Sequence, residues 1–301
     1  MEKPYWEVLC EECEKRDNVI LTANKYRCEQ TLITKLNGIP ACTITTKSDY
    51  QLEWAENIKH PAMNAYCQLV QQHVSVYPPS YEKPLDMVLD LEKLKFASVF
   101  DIDMETGRIK AIVNHGEVVQ RWNDYKRGLV DKYRFLRSAE TKEQVNVFIS
   151  SMEGVITNEE TLLAEFYGKM LFMLLFDGYL VGKPNYVAAR EIEFPSQLFQ
   201  GVKCPMTLTP RIQKESPEAV IYEQKSSIHD SIKKLDEIKK AYDVRFKPTI
   251  QYDFSEYRAT FYSHVLLNEK EKYVQEAECH IIEEILNNVS LTIQCNIRKI
   301  D

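Results

Sequence analysis

Glycine is scarce, with nine in 301 residues. Phosphate-cradling loops need several closely spaced glycines, and neither GxGxxG nor GxxxxGK[ST] occurs. No apolar run approaches the ~20 residues that span a bilayer. The most hydrophobic stretch, Met170 to Phe176, stands between Lys169 and Asp177. At the N-terminus, MEKPYWEVLCEECEKRD, charges interrupt every apolar run, which is the pattern of neither a signal nor a transit peptide. These absences lead us to expect a cytoplasmic chain with no transmembrane segment. A basic surplus is lacking too: 38 Lys and Arg against 45 Asp and Glu leave a net charge of −7. That sign opposes a phosphate backbone, so nucleic acid is disfavoured as a partner. Neither the GxSxG elbow nor HExxH is present, and the six histidines stand without HxH or HxxxH spacing.

What is present is the composition of a folded chain, 44% hydrophobic and 28% charged. Eight cysteines include one CxxC, Cys10 and Cys13. A zinc knuckle needs a second tight pair, whereas the next cysteines, Cys28 and Cys42, lie far apart. Glu11 and Glu12 between the CxxC thiols disfavour a thiolate. The cysteines are read as free thiols in a reducing compartment, with no metal and no cofactor expected.

Two runs rich in Thr, Ile, Tyr and Leu, Tyr26–Leu36 and Ile39–Leu52, flank Asn37-Gly38, a strong hairpin signal. Met63, Tyr66, Cys67 and Val70 recur at helical spacing and predict a helix from Pro61 to Val74. The segment VFDIDMETGRIKAIVNHGEVVQRW, Val99 to Trp122, carries more apparent chemistry than any other. As a calcium loop it fails, because Thr106 and Ile112 stand where glycine and glutamate are needed. Phe100, Ile102 and Met104 alternate with Asp101, Asp103 and Glu105, which predicts a strand with its acids in water, facing Arg108 and Lys110 across a turn at Gly107. Asn114 and Glu117 then read as a capping box opening a helix through Val118, Trp122, Tyr125, Leu129, Tyr133 and Leu136.

Capping-box patterns at Thr141 and Thr157 predict helices over Lys142–Met152 and Asn158–Phe176, the second apolar nearly all round and therefore buried. From Gly182 to Pro217 the prolines suggest loops with brief strands at Glu191–Phe194 and Lys203–Leu208. A helix is expected over Ser227–Tyr242 and a strand over Ile250–Val265. Tyr273–Leu286 fits helix and strand alike; the strand is preferred, with a turn at Asn287-Asn288 leading into the clean alternation of Val289 to Ile297.

The expected fold class is α+β: antiparallel strands at the N- and C-terminal ends around an α-helical middle. Residues 1–301 are read as one compact unit with two lobes, 1–181 and 182–301. The leading functional reading is a non-enzymatic cytoplasmic binding protein that acts by protein–protein contact, an adaptor or an inhibitor of the immunity kind, with a basic protein as partner. Tyr and Arg favour interface hot spots, so Tyr252, Asp253, Glu256, Tyr257, Arg258 and Tyr262 are the candidate contact residues. The second reading is a small-molecule or lipid carrier with a pocket between the C-terminal sheet and helices. The third is an enzyme with a dispersed site around His115, Asp101 and Asp103. No residue is assigned as catalytic, cofactor-binding or metal-ligating.

Overall fold

The computed structural model describes residues 18–57, 63–79, 82–132, 139–180, 188–199, 201–228, 235–271 and 273–300. Two long strands, β1 (Asn18–Leu36) and β2 (Ile39–Asn57), form the expected hairpin. Asn37 and Gly38 take φ of 50° and 78°, the pair of positive values that a tight hairpin turn demands. β3 (Met63–Tyr77) and helix α1 (Glu82–Lys95) follow, then the short hairpin β4 (Ser98–Ile102) and β5 (Ile109–Ile112). The helical stretch holds α2 (His115–Lys132), α3 (Ala139–Thr157), α4 (Glu159–Tyr167) and α5 (Met170–Leu175). β6 (Arg190–Pro195), β7 (Lys203–Lys214) and β8 (Ala219–Ile228) come next, followed by α6 (Leu235–Arg245) and the single turn α7 (Lys247–Ile250). β9 (Tyr257–Asn268), β10 (Tyr273–Ile285) and β11 (Val289–Ile300) complete the order.

The fold is mixed α+β with the sheet dominant. The eleven strands among the described residues join one antiparallel sheet in the order β5-β4-β3-β2-β1-β11-β10-β9-β8-β7-β6. β1 lies beside β11, with Lys25 opposite Ile300 and Leu36 opposite Val289, so strands from the two ends of the chain form the middle of the sheet. The α5 segment shows that this sheet is curved. Phe172 meets Phe100 of β4 edge to face at 5.3 Å between ring centres, Phe176 packs tilted on Trp54 of β2 at 5.1 Å, and Met170 meets Cys279 of β10 at 3.8 Å. Strands are ~4.8 Å apart and a helix is ~10 Å wide, so only a sheet wrapped around α5 reaches it from β4 and β10 together.

One face of the wrapped sheet is therefore apolar and lined by α4 and α5, while the other carries the alternate polar side chains. β11 shows this division best: Val289, Leu291, Ile293, Cys295 and Ile297 are buried, while Gln294, Asn296 and Arg298 between them are exposed. β10 is a strand, as the sequence favoured, and Asn287 takes a left-handed φ of 65° in the turn to β11.

Several expected elements differ. Residues 63–77 form a strand, not a helix. Leu69 faces Tyr50 while Gln71 faces Asp49, so Val70 is an extra residue in the β3 ladder. This bulge inserts one three-residue step into a two-residue period, and Asn64 to Cys67 are buried on both faces; together these imitate helical spacing. The expected helix over Asn158–Phe176 is broken at Gly168-Lys169, where Lys169 is extended and its ammonium reaches Glu92 at 2.6 Å. Asn158, rather than Thr157, caps α4 by accepting from the Thr161 N–H at 2.9 Å, and Thr141 lies inside α3. Ser227 and Ile228 continue β8 instead of opening a helix, with α6 starting at Leu235. At the other end Ile250 closes α7, Gln251 is left-handed at φ 63°, and the strand begins only at Tyr257. β8 and α1 carry no counterpart among the expected elements. Cys10, Cys13, His60, Tyr133, Leu136, His229 and the expected lobe boundary at 181/182 lie outside the described residues.

Candidate functional site

The curvature brings the two edges of the sheet to one residue. Asp177 follows α5, is 4% exposed, and receives the Arg190 guanidinium from the first residue of β6. Gln224 of β8 donates to the same carboxylate at 3.0 Å, and Arg108, just before β5, stands 3.9 Å away. The β4–β5 turn packs so closely that a Cβ on Gly107 would collide with the Asp177 carbonyl oxygen. Gly107 also has φ +70°, so the position favours glycine both in space and in backbone conformation. Arg108 lies across the turn from Asp103, whose N–H donates to its carbonyl at 2.8 Å, but its guanidinium stands at Asp177. β4 ends at Ile102; Asp103 shapes the turn by accepting from the Glu105 N–H at 2.6 Å, a bond that holds its carboxyl below the usual range.

Beside this junction lies a cavity of about 560 Å³, within the size range of pockets that take drug-sized ligands. Its floor is mostly apolar, with Leu163 and Tyr167 of α4, Met173 of α5, Ile192 and Phe194 of β6, and Phe261 of β9, and the buried Asp177 and Gln224 also line it. Its rim carries both signs, Arg108, Lys110 and Lys203 beside Asp103, Glu160 and Glu193. Such an arrangement holds an apolar body in the interior and a polar end among the rim charges.

Two polar clusters fix the elements around the inner face. Between α1 and α4, Lys95 is 3% exposed and pairs with Glu92 at 2.7 Å and with Glu165, while Lys169 bonds Glu92 at 2.6 Å. Burial opposes ionisation of Glu92, but Lys169 and Lys95 outweigh it and hold the carboxyl down to about 2. On the other side Glu283 is 0% exposed and accepts from Ser196 Oγ at 2.6 Å, Tyr257 Oη at 2.5 Å, and the N–H groups of Gln197 and Leu198 at 2.5 and 2.9 Å. This carboxylate organises the loop after β6. Burial, then the Glu283 charge, pushes the Tyr257 hydroxyl up, so it stays a neutral donor.

The candidate contact residues do not form one surface. Tyr257 is fully buried against Glu283, on the opposite face of β9 from Arg258. Asp253 pairs with Lys247 at 2.8 Å, and Glu256 with Arg258 at 2.6 Å. Tyr252 is 59% exposed ahead of the strand. Arg258 and Tyr262 alone share the polar outer face of β9, where Lys225 stands over the Tyr262 ring at 5.3 Å.

The dispersed-site residues have separate partners. His115 bonds the Ile156 carbonyl at 2.8 Å, Asp101 lies within β4, and Asp103 serves its own turn. Asn114 opens α2 with its backbone, while its side chain accepts from Val99 N–H at 2.8 Å and ties the helix to β4. No group of three or more metal-ligating side chains occurs among the described residues. Asn288, in the turn between β10 and β11, is buried, its amide donating to Tyr242 Oη and the Asp253 carbonyl, both at 2.8 Å.

Neither Asp177 nor Glu283 stood among the candidates. The signal for Glu283 was in the alternation: Ala277, Cys279, Ile281 and Ile285 share its face, which puts a carboxylate in an apolar row.

No protein-family model matches the chain, and no curated protein is similar to it in sequence. Among solved structures, one of lipovitellin, described as lipid–protein interactions in lipovitellin, aligns over 95% of this chain at 10% identity with a TM-score of 0.44. This chain covers 25% of that one. At that level the likeness decides neither fold nor function. Among the described residues, no helix is long and apolar enough to cross a membrane.

Proposed function

We propose that the protein binds and carries an amphiphilic small molecule or lipid inside its wrapped sheet. The observation that carries this reading is the cavity of about 560 Å³ beside Asp177, mostly apolar at its floor and charged at its rim. A sheet face this apolar is normally filled by side chains; here α4 and α5 fill part of it and leave an open space against β6 and β9. Burying the apolar part of a ligand there contributes ~25 cal/mol per Å², while the mixed rim accepts a polar head.

Organic extraction of protein purified gently from its host, followed by mass spectrometry, tests the reading. The expected result is a bound amphiphile in the wild type and its loss in Met173→Trp, which fills the cavity from α5. An empty extract, together with no binding of long-chain alcohols, acids or lysophospholipids by either protein, would overturn it. A protein partner, the other class raised by the sequence, would meet the outer face at Arg258 and Tyr262, and a stoichiometric copurifying polypeptide with an empty cavity is the outcome that favours it.

A further inference from the structure

A second groove opens on the same apolar face, near the β1–β2 turn, and its electrostatics differ from those of the cavity beside Asp177. It measures about 530 Å³. Its walls are Leu32 and Leu36 of β1, Ile44 of β2, Val76 of β3, Leu291 of β11 and Leu198 of the loop that Glu283 holds. Among the residues that line it, Arg245 alone bears a charge. Arg245 ends α6, rests its guanidinium 5.2 Å from the Phe246 ring, and donates one N–H to the Leu198 carbonyl at 2.9 Å. No carboxylate pairs with it among the described residues, so most of its five N–H donors have no protein acceptor there. A planar, permanently charged fork at the edge of an apolar trough is complementary to a planar anion on an apolar chain.

We infer that this groove takes a long-chain carboxylic acid, its alkyl chain along Leu32, Ile44 and Val76 and its carboxylate on Arg245. The inference rests on the amphiphile-carrier reading but names a separate site and one class of head group. The cavity beside Asp177 has both signs at its rim and so does not select for an anion; the groove does. Cys42 lies in the groove wall at intermediate exposure, whereas Cys28, Cys67, Cys204, Cys279 and Cys295 are buried. Alkylation of Cys42 therefore reports whether the groove is occupied.

The test titrates the full chain with palmitate and with hexadecanol. Calorimetry gives the affinities, and peptide mass spectrometry follows iodoacetamide labelling of Cys42. The expected result is that palmitate protects Cys42 and binds about tenfold or more tightly than hexadecanol. Arg245→Met should abolish that preference, Arg245→Lys should keep part of it, and Val76→Trp should remove the protection of Cys42 by both probes together with the binding that Met173→Trp leaves. Circular dichroism confirms that each variant is folded. Equal affinities for the two probes, an unaltered preference in Arg245→Met, or binding that leaves Cys42 unprotected and is lost in Met173→Trp would overturn the inference and leave the carrier reading standing. Absence of any binding by either probe, with an empty lipid extract, would overturn both.

Discussion

Glu92 and Glu283 both sit in the interior of the wrapped sheet, and the protein stabilises the two carboxylates by different means. Glu92 is neutralised by Lys95 and Lys169, whose ammonium groups also reach Glu165. Glu283 receives two hydroxyls and two backbone N–H groups. The first arrangement ties side chains of α1, α4 and the start of α5 together, and depends on charge balance. The second uses fixed dipoles to shape a loop, the one whose Gln197 and Leu198 form part of the second groove. A cluster of four charges loses its balance when any member is removed. A carboxylate among dipoles is indispensable only as the acceptor, because each donor is one of several.

Glu283→Ala tests that difference hardest. It leaves four donors without their acceptor, and the expected loss is about 3–5 kcal/mol in urea unfolding; a loss no larger than that of a surface variant would break the comparison. Lys95→Met should cost somewhat less, about 3 kcal/mol, because Lys169 remains beside Glu92 and Glu165. A milder effect should appear on acidification. The Glu92 carboxyl lies near 2 in the folded chain against an ordinary 4.5. A depressed folded value means that this contribution is complete above 4.5 and is lost as pH falls towards 2. Between pH 6 and pH 3 roughly 2 kcal/mol should disappear, taking 1.36 kcal/mol per pKa unit. Glu92→Gln should flatten that part of the stability–pH curve, and an unchanged slope would show that the lysines do not act through this carboxylate. Smallest of all is Arg258→Ala on the outer face, where the exposed pair with Glu256 should be worth less than ~0.5 kcal/mol by the same unfolding measurement.

The legibility of each element followed the number of faces it buries. β11 and the β1–β2 hairpin have one apolar and one polar face, or a turn with a defined backbone, and were readable from residue type alone, whereas the residues of β10 fitted a helix as well as the strand they form. β3 was not, because Val70 interrupts its ladder and both faces of Asn64–Cys67 are covered. The apolar stretch through Met170–Leu175 was correctly read as buried, but its break at Lys169 was hidden, since it depends on Glu92, far away in sequence. Tyr257 was chosen for its neighbours in sequence, and the strand turned it inward while Arg258 faced out.

By itself, the amino-acid sequence determined an acidic composition, a mixed α+β chain, the β1–β2 hairpin, the alternation of β11 and a buried apolar stretch at Met170–Leu175. Each of these is a local property, set by composition, by periods of two and of three to four residues, and by turn chemistry within short windows. Only the tertiary structure decided that the described strands would join one sheet, that the sheet would wrap α5, and that its edges would meet at Asp177. The cavity and the groove arise from that wrapping, because their walls come from strands and helices that no short window of sequence contains. Empty space inside a fold is left by elements that curve together without filling the interior, and no residue pattern records it.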